Sequence, residues 1–180
     1  MTVMDSGMTL PYALAARLSG KVLVVGIGNP MFGDDAAGCL VAQNLKGTPG
    51  LLVIEAEDVP ERYFGQIVAA RPDVVVFVDA VDLGKTPGST AVLERDMLAS
   101  YEASTHRVPL SLLAKLIARE SGADVWVIAI QPRRVDLGSS VCAEVAQAVV
   151  ALSGLIRQSV PGSGTAFGVR TLLKRDTRPC

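Results

Sequence analysis

Histidine occurs once in 180 residues, at position 106. There is no H-E-x-x-H, which excludes an ordinary zincin, and no G-x-S-x-G, so no nucleophile elbow is evident. The three cysteines (Cys39, Cys142 and Cys180) are scattered, odd in number and without a Cys-x-x-Cys pair. Neither a zinc cluster nor a disulfide framework is implied, and a reducing cytoplasm suits them. No apolar run reaches the ~18 residues of a membrane span. The net charge of −1 offers no surface for nucleic acid. Internal repeats are absent as well.

What the chain has in quantity is apolar residues, 49% of the total. Its length points to one domain with a sizeable core. β-branched runs separated by Ala/Leu-rich segments fit an α/β protein with buried parallel strands. Strands are expected at Lys21–Gly26, Leu51–Glu55, Val74–Val78, Ser89–Glu94 and Asp124–Ile130. The second is read as a short buried run, the third as central and the fourth as an edge. Helices are expected at about Asp35–Lys46, Pro60–Ala70, Pro109–Glu120 and Ser140–Ile156. The result is a three-layer α/β fold: a twisted, mainly parallel five-stranded sheet with helices on both faces. Residues 1–20 read as a flexible leader with a short helix at Tyr12–Leu18. Residues 21–158 form the domain, and 159–180 a flexible basic tail.

The most informative stretch is Gly26-Ile-Gly-Asn-Pro-Met-Phe-Gly-Asp-Asp-Ala-Ala-Gly38, which joins the first strand to the first helix. A capping carboxylate, Asp34 or Asp35, explains it locally. A dinucleotide fingerprint does not: Met31 stands where the third glycine belongs, and two carboxylates would repel a pyrophosphate. The third reading has an Asp pointing out of the turn toward a cation or a proton. In open α/β sheets, sites form at the carboxyl ends of strands. Asp35 after the first strand, Asp79 at the end of the third and His106 before the third helix all fall there. Each alone has an ordinary explanation: a cap, a loop anchor, a polar residue. Together they form a mixed O/N set that suits a divalent transition metal with open positions, or an acid/base centre without metal.

Four segments in register resemble the [NiFe]-hydrogenase maturation endopeptidases. They are the glycine turn with its Gly-Asp-Asp, Val78-Asp79-Ala-Val-Asp82, Ser104-Thr-His106-x-x-Pro109-Leu110, and Ile130-Gln-Pro132. The likeness covers roughly Val22 to Leu155. It implies a phosphorylase/hydrolase-like sheet and removal of a C-terminal peptide from a nickel-loaded large-subunit precursor. It also implies that Asp35, Asp79 and His106 recognise the metal; for the cleavage itself, Asp35 or Asp79 is the candidate catalytic base, or the metal polarises the scissile carbonyl. Nickel would then be supplied by the substrate, and no tightly bound metal is expected in the isolated protein. Gly28, Asn29 and Gln131 are candidate substrate contacts, although Gly28 and Asn29 are accounted for by shaping the turn. A cytoplasmic monomer acting on the precursor is expected.

Two other readings stand beside this one. A nickel carrier or chaperone would use the same three ligands without cleavage. The Gly-Ile-Gly-Asn-Pro segment is also similar to peptidyl-tRNA hydrolase, but that family expects a histidine soon after the turn and a basic surface.

Overall fold

The computed structural model describes residues 10–101 and 108–160. Its strands are β1 (Val22–Ile27), β2 (Leu51–Glu57), β3 (Val74–Ala80), β4 (Thr90–Glu94) and β5 (Asp124–Ile130). Its helices are α1 (Leu10–Arg17), α2 (Ala37–Leu45), α3 (Phe64–Ala70), α4 (Leu98–Tyr101), α5 (Leu110–Ser121) and α6 (Ala143–Ser159). The strands form one sheet in the order β2-β1-β3-β5-β4. All neighbours are parallel except β4, which runs antiparallel to β5. Strand β3 is central, as its unbroken apolar run requires, and Val22 pairs with Val74, which pairs with Asp124.

Alternate residues of the inner strands feed two separate cores. Val22, Val24, Val76, Val78, Trp126 and Ile128 pack under α1, α2 and α6. Leu23, Val25, Val75, Phe77, Val125 and Val127 pack under α3, α4 and α5. Each such side chain, taken fully from water, contributes about 1.5–3 kcal/mol before chain entropy is subtracted. The mainly parallel, three-layer α/β architecture is therefore as expected. Among the described residues no helix is long and apolar enough to cross a membrane.

Four local expectations need correction. Strand β2 is an edge rather than a buried strand: it pairs only with β1 within the sheet order, and only Ile54 and Ala56 are buried. The first helix does not begin at Asp35. Residues Gly33–Ala36 form a 3₁₀ turn, and α2 follows from Ala37. Neither Asp34 nor Asp35 caps it, since the side chains of both are engaged elsewhere. Lastly, part of the segment read as a flexible leader is built into the core: α1 buries Leu10, Ala13 and Leu14, and Leu18 follows.

Arg17 secures the end of α1. Its guanidinium lies 4.6 Å from the centroid of the Trp126 ring and pairs with Glu94 and Asp124. The tail read at 159–180 lies outside the described residues beyond position 160.

Candidate active site

Two glycines set the geometry where β1 meets α2. Gly28 has φ 134°, and a Cβ there would stand 1.7 Å from the carbonyl oxygen of Asp35. Gly38, in the first turn of α2, lies so close to the sheet that a Cβ would stand 2.1 Å from the Val78 carbonyl and 2.3 Å from that of Ile27. The start of α2 thus rests directly on the carboxyl ends of β1 and β3. This contact brings the turn carrying Asp35 to the strand end carrying Asp79. A larger residue at either position would hold the two apart.

The turn is wired internally. The Asn29 N–H donates to Asp35 Oδ2 at 2.7 Å, and Asn29 Oδ1 accepts from the Met31 N–H at 2.9 Å. The Gly28 N–H donates to the Glu57 carbonyl at 2.9 Å, where β2 ends in a residue with φ 51°. Gly28 and Asn29 therefore serve the shape of the turn. Asp35 is half-buried. Asp79 is buried, and its Oδ1 accepts from the Ala80 N–H at 2.8 Å. His106 lies outside the described residues.

Asp34 does something the sequence did not disclose. It is fully buried, and its carboxylate accepts three backbone N–H groups from the far side of the fold. Cys142 donates at 2.7 Å, Arg133 at 2.8 Å and Arg134 at 3.2 Å. The Asp34 N–H in turn donates to the Arg134 carbonyl at 3.2 Å. Burial pushes the Asp34 carboxyl upward, but the three amides outweigh it and hold the group below the ordinary Asp value. Asp34 thus clamps the loop between β5 and α6 onto the glycine turn. The adjacent Asp35 instead accepts the Asn29 N–H.

Gln131 is also a brace. Its Oε1 accepts from the Leu83 and Lys85 N–H groups at 2.6 and 3.1 Å. Its Nε2 donates to Asp82 Oδ1 and the Pro132 carbonyl at 3.1 and 2.9 Å. Two lone pairs and two N–H bonds are the whole capacity of a carboxamide. In this structure the whole Gln131 carboxamide is spent on holding the loop after β3. Asp82, fully exposed, is kept below the ordinary Asp range by the Gly84 N–H and by Gln131.

Neither described cysteine offers a thiolate. Cys39 is buried, donates to the Gly28 carbonyl at 3.1 Å, and burial pushes its thiol up to about 12. The Cys142 thiol is likewise raised by burial. Among the described residues no three His, Cys, Asp or Glu side chains gather into a metal cluster. What remains is two carboxylates, Asp35 in the turn after β1 and Asp79 near the carboxyl end of β3.

The fold is a three-layer α/β architecture with its glycine turn at the carboxyl end of β1. The family model described as HycI, hydrogenase maturation protease, matches residues 40–159. The hydrogenase 3 maturation protease of Escherichia coli K12 is 34% identical over 109 residues, 59% of this chain and 69% of that one. The crystal structure of a [NiFe] hydrogenase maturation protease from Thermococcus kodakarensis superposes with a TM-score of 0.76 at 33% identity, covering 82% of this chain and 98% of that one. The solution structure of the endopeptidase HycI from Escherichia coli gives 0.69 at 28% identity, covering 75% and 88%. The chain belongs to the hydrogenase maturation proteases and is a hydrolase of the endopeptidase class.

Proposed function

We propose that this endopeptidase removes the C-terminal peptide from the nickel-loaded precursor of a [NiFe]-hydrogenase large subunit. The observation that supports the reading is the seating of α2 on β1 and β3 through Gly38, which packs the helix following the Asp35 turn against Val78, the residue before Asp79. His106, which precedes α5 in the sequence, is the third contact to the metal in this reading. Nickel is part of the substrate here, presented in its own coordination shell. Two carboxylates and one imidazole, with no thiolate, complete that shell without extracting the ion.

Docking through the metal makes loading a condition of cleavage, because an unloaded precursor lacks one anchor. It also turns the attack into a step within a positioned complex. Water adds to the scissile carbonyl carbon while Asp35 or Asp79 takes its proton. The same proton passes to the departing amide nitrogen as the C–N bond breaks.

The mass of a cognate precursor, incubated with the protein before and after nickel loading, tests this. Loss of a C-terminal peptide from the loaded sample alone is the expected result, and Asp79→Asn is expected to abolish it without unfolding the protein. Cleavage of both samples would remove nickel from the recognition step. Tight nickel binding by the isolated protein, with no cleavage of a verified cognate precursor, would replace the protease reading with that of a carrier.

A further inference from the structure

Strand β2 has one open edge, since its ladder runs to β1 alone. Backbone N–H and C=O groups turn alternately to the two sides of a strand, so every second residue of β2 aims them away from the sheet. Local turns close the two ends: the Leu51 N–H donates to the Thr48 carbonyl and the Val59 N–H to the Ala56 carbonyl, both at 3.2 Å. Between these ends, no described residue outside β1 bonds to the backbone of residues 52–55. Exposed edges are ordinarily guarded by a proline, a lysine or another charge. Residues 51–54, Leu-Leu-Val-Ile, carry none of these, and Leu52 is 38% exposed.

The open edge runs to the Asp35 turn. At its end the register with β1 slips between Gly26 and Ile27, and Glu57 takes φ 51°. The Glu57 carbonyl accepts the Gly28 N–H at 2.9 Å, and the next amide, that of Asn29, donates to Asp35 Oδ2 at 2.7 Å. Successive amide nitrogens are at most about 4 Å apart, so the end of β2 lies within about 10 Å of the Asp35 carboxylate, the reach of about three extended residues.

A row of N–H and C=O groups repeating every ~6.6 Å is matched by one chemistry, an extended polypeptide backbone with the same repeat. An endopeptidase acts on such a backbone, because a peptide bond locked in the substrate's own helix or sheet is out of its reach. From this we infer that the outer edge of β2 receives an extended stretch of the precursor as an added strand and delivers the residues that follow to Asp35. The inference rests on the endopeptidase reading and adds to it how the substrate backbone is held. The irregularity at the end of β2 stops the pairing there, so the added chain leaves the ladder just before Asp35. Its register on β2 then fixes which peptide bond arrives at the carboxylate.

The test uses the full chain and a synthetic peptide spanning the cleavage site of the cognate precursor. Amide hydrogen exchange in β2 is measured with and without peptide. The outward amides of residues 52–55 should exchange at least tenfold more slowly with peptide bound, and those bonded to β1 should not change. Peptides N-methylated at one backbone nitrogen at a time should lose about tenfold in affinity at every second position and little at those between. Peptide binding without this period of two, or without protection in β2, would overturn the added strand, as would an absence of binding at millimolar peptide. Protection that rises with protein concentration in the absence of peptide would make a second copy of the chain the occupant and overturn it equally. Protection and the period of two, in a protein that cleaves no loaded precursor, would sustain the added strand and defeat the protease reading alone. Cleavage of the loaded precursor with neither would do the reverse.

Discussion

Replacing Asp34 should separate stability from Asp35 and Asp79 in a way that depends on pH. The carboxylate accepts three backbone amides, from Cys142, Arg133 and Arg134, at 2.7, 2.8 and 3.2 Å. Bonds to a charged acceptor contribute about 1.5–3 kcal/mol each, and an amide left without a partner costs ~1–3 kcal/mol. Arg133 and Arg134 lie on an exposed loop, where water takes over part of the lost bonding, so the lower values apply. Asp34→Ala should therefore cost about 3 kcal/mol, a fall of roughly 6–12 °C in the thermal midpoint for a domain of this size. Asp34→Asn retains one acceptor oxygen but turns an N–H toward a donor, and should cost roughly 2 kcal/mol.

The folded-state pKa of Asp34 is lowered, so its contribution is complete above the unfolded value near 3.9 and is lost as pH falls through the lower folded value. Urea unfolding of wild type and Asp34→Asn at pH 7, 5 and 3 reads this directly. The difference should hold between pH 7 and 5 and narrow toward pH 3, where the wild-type carboxyl begins to take up a proton. A difference that is constant down to pH 3, or absent at pH 7, would refute the clamp.

Three further outcomes follow from the same geometry. Gly28→Ala forces a methyl to within 1.7 Å of the Asp35 carbonyl, so the turn must move; processing should fall at least a hundredfold, measured as kcat/KM on the loaded precursor. Gln131→Leu removes the acceptor of the Leu83 and Lys85 amides and should speed hydrogen exchange at those two positions, while β3 stays protected. Deleting residues 1–20 uncovers the sites of Leu10, Leu14 and Leu18; at about 1.5–3 kcal/mol each the loss is roughly 5–9 kcal/mol, enough that the truncated chain should fail to show a cooperative thermal transition.

The inner strands were legible because each is a β-branched run buried on both faces, and the centre of the sheet because Val74–Val78 is the most apolar of them. The edge position of β2 was not. A short apolar run reads the same at an edge as in the middle, and strand order is set by the crossover connections rather than by local composition. A short helix at Tyr12–Leu18 was legible but its place in the core was not, although Leu10, Leu14 and Leu18 recur at every fourth position and form one buried stripe.

At the site, Asp35 and Asp79 could be picked out by their place after apolar runs. Asp34 was indistinguishable from a cap because its partners lie about a hundred residues away. Gln131 stood out at the end of a strand, but its use depended on the loop at 82–88, which no local pattern ties to it. His106 falls in the span 102–107, outside the described residues. In each illegible case the deciding bond joins segments that are distant in sequence.

Arg17 and Trp126 give the molecule a reporter of its own. Trp126 is the only tryptophan in the chain, wholly buried in the core beneath α1, with the cation of α1 over its ring. Its fluorescence therefore speaks for one seam, where α1 meets β5, and not for an average over the fold. A red shift in emission that precedes the loss of far-ultraviolet ellipticity would mark α1 peeling away from an otherwise intact sheet. The first step of unfolding can thus be watched without attaching a dye.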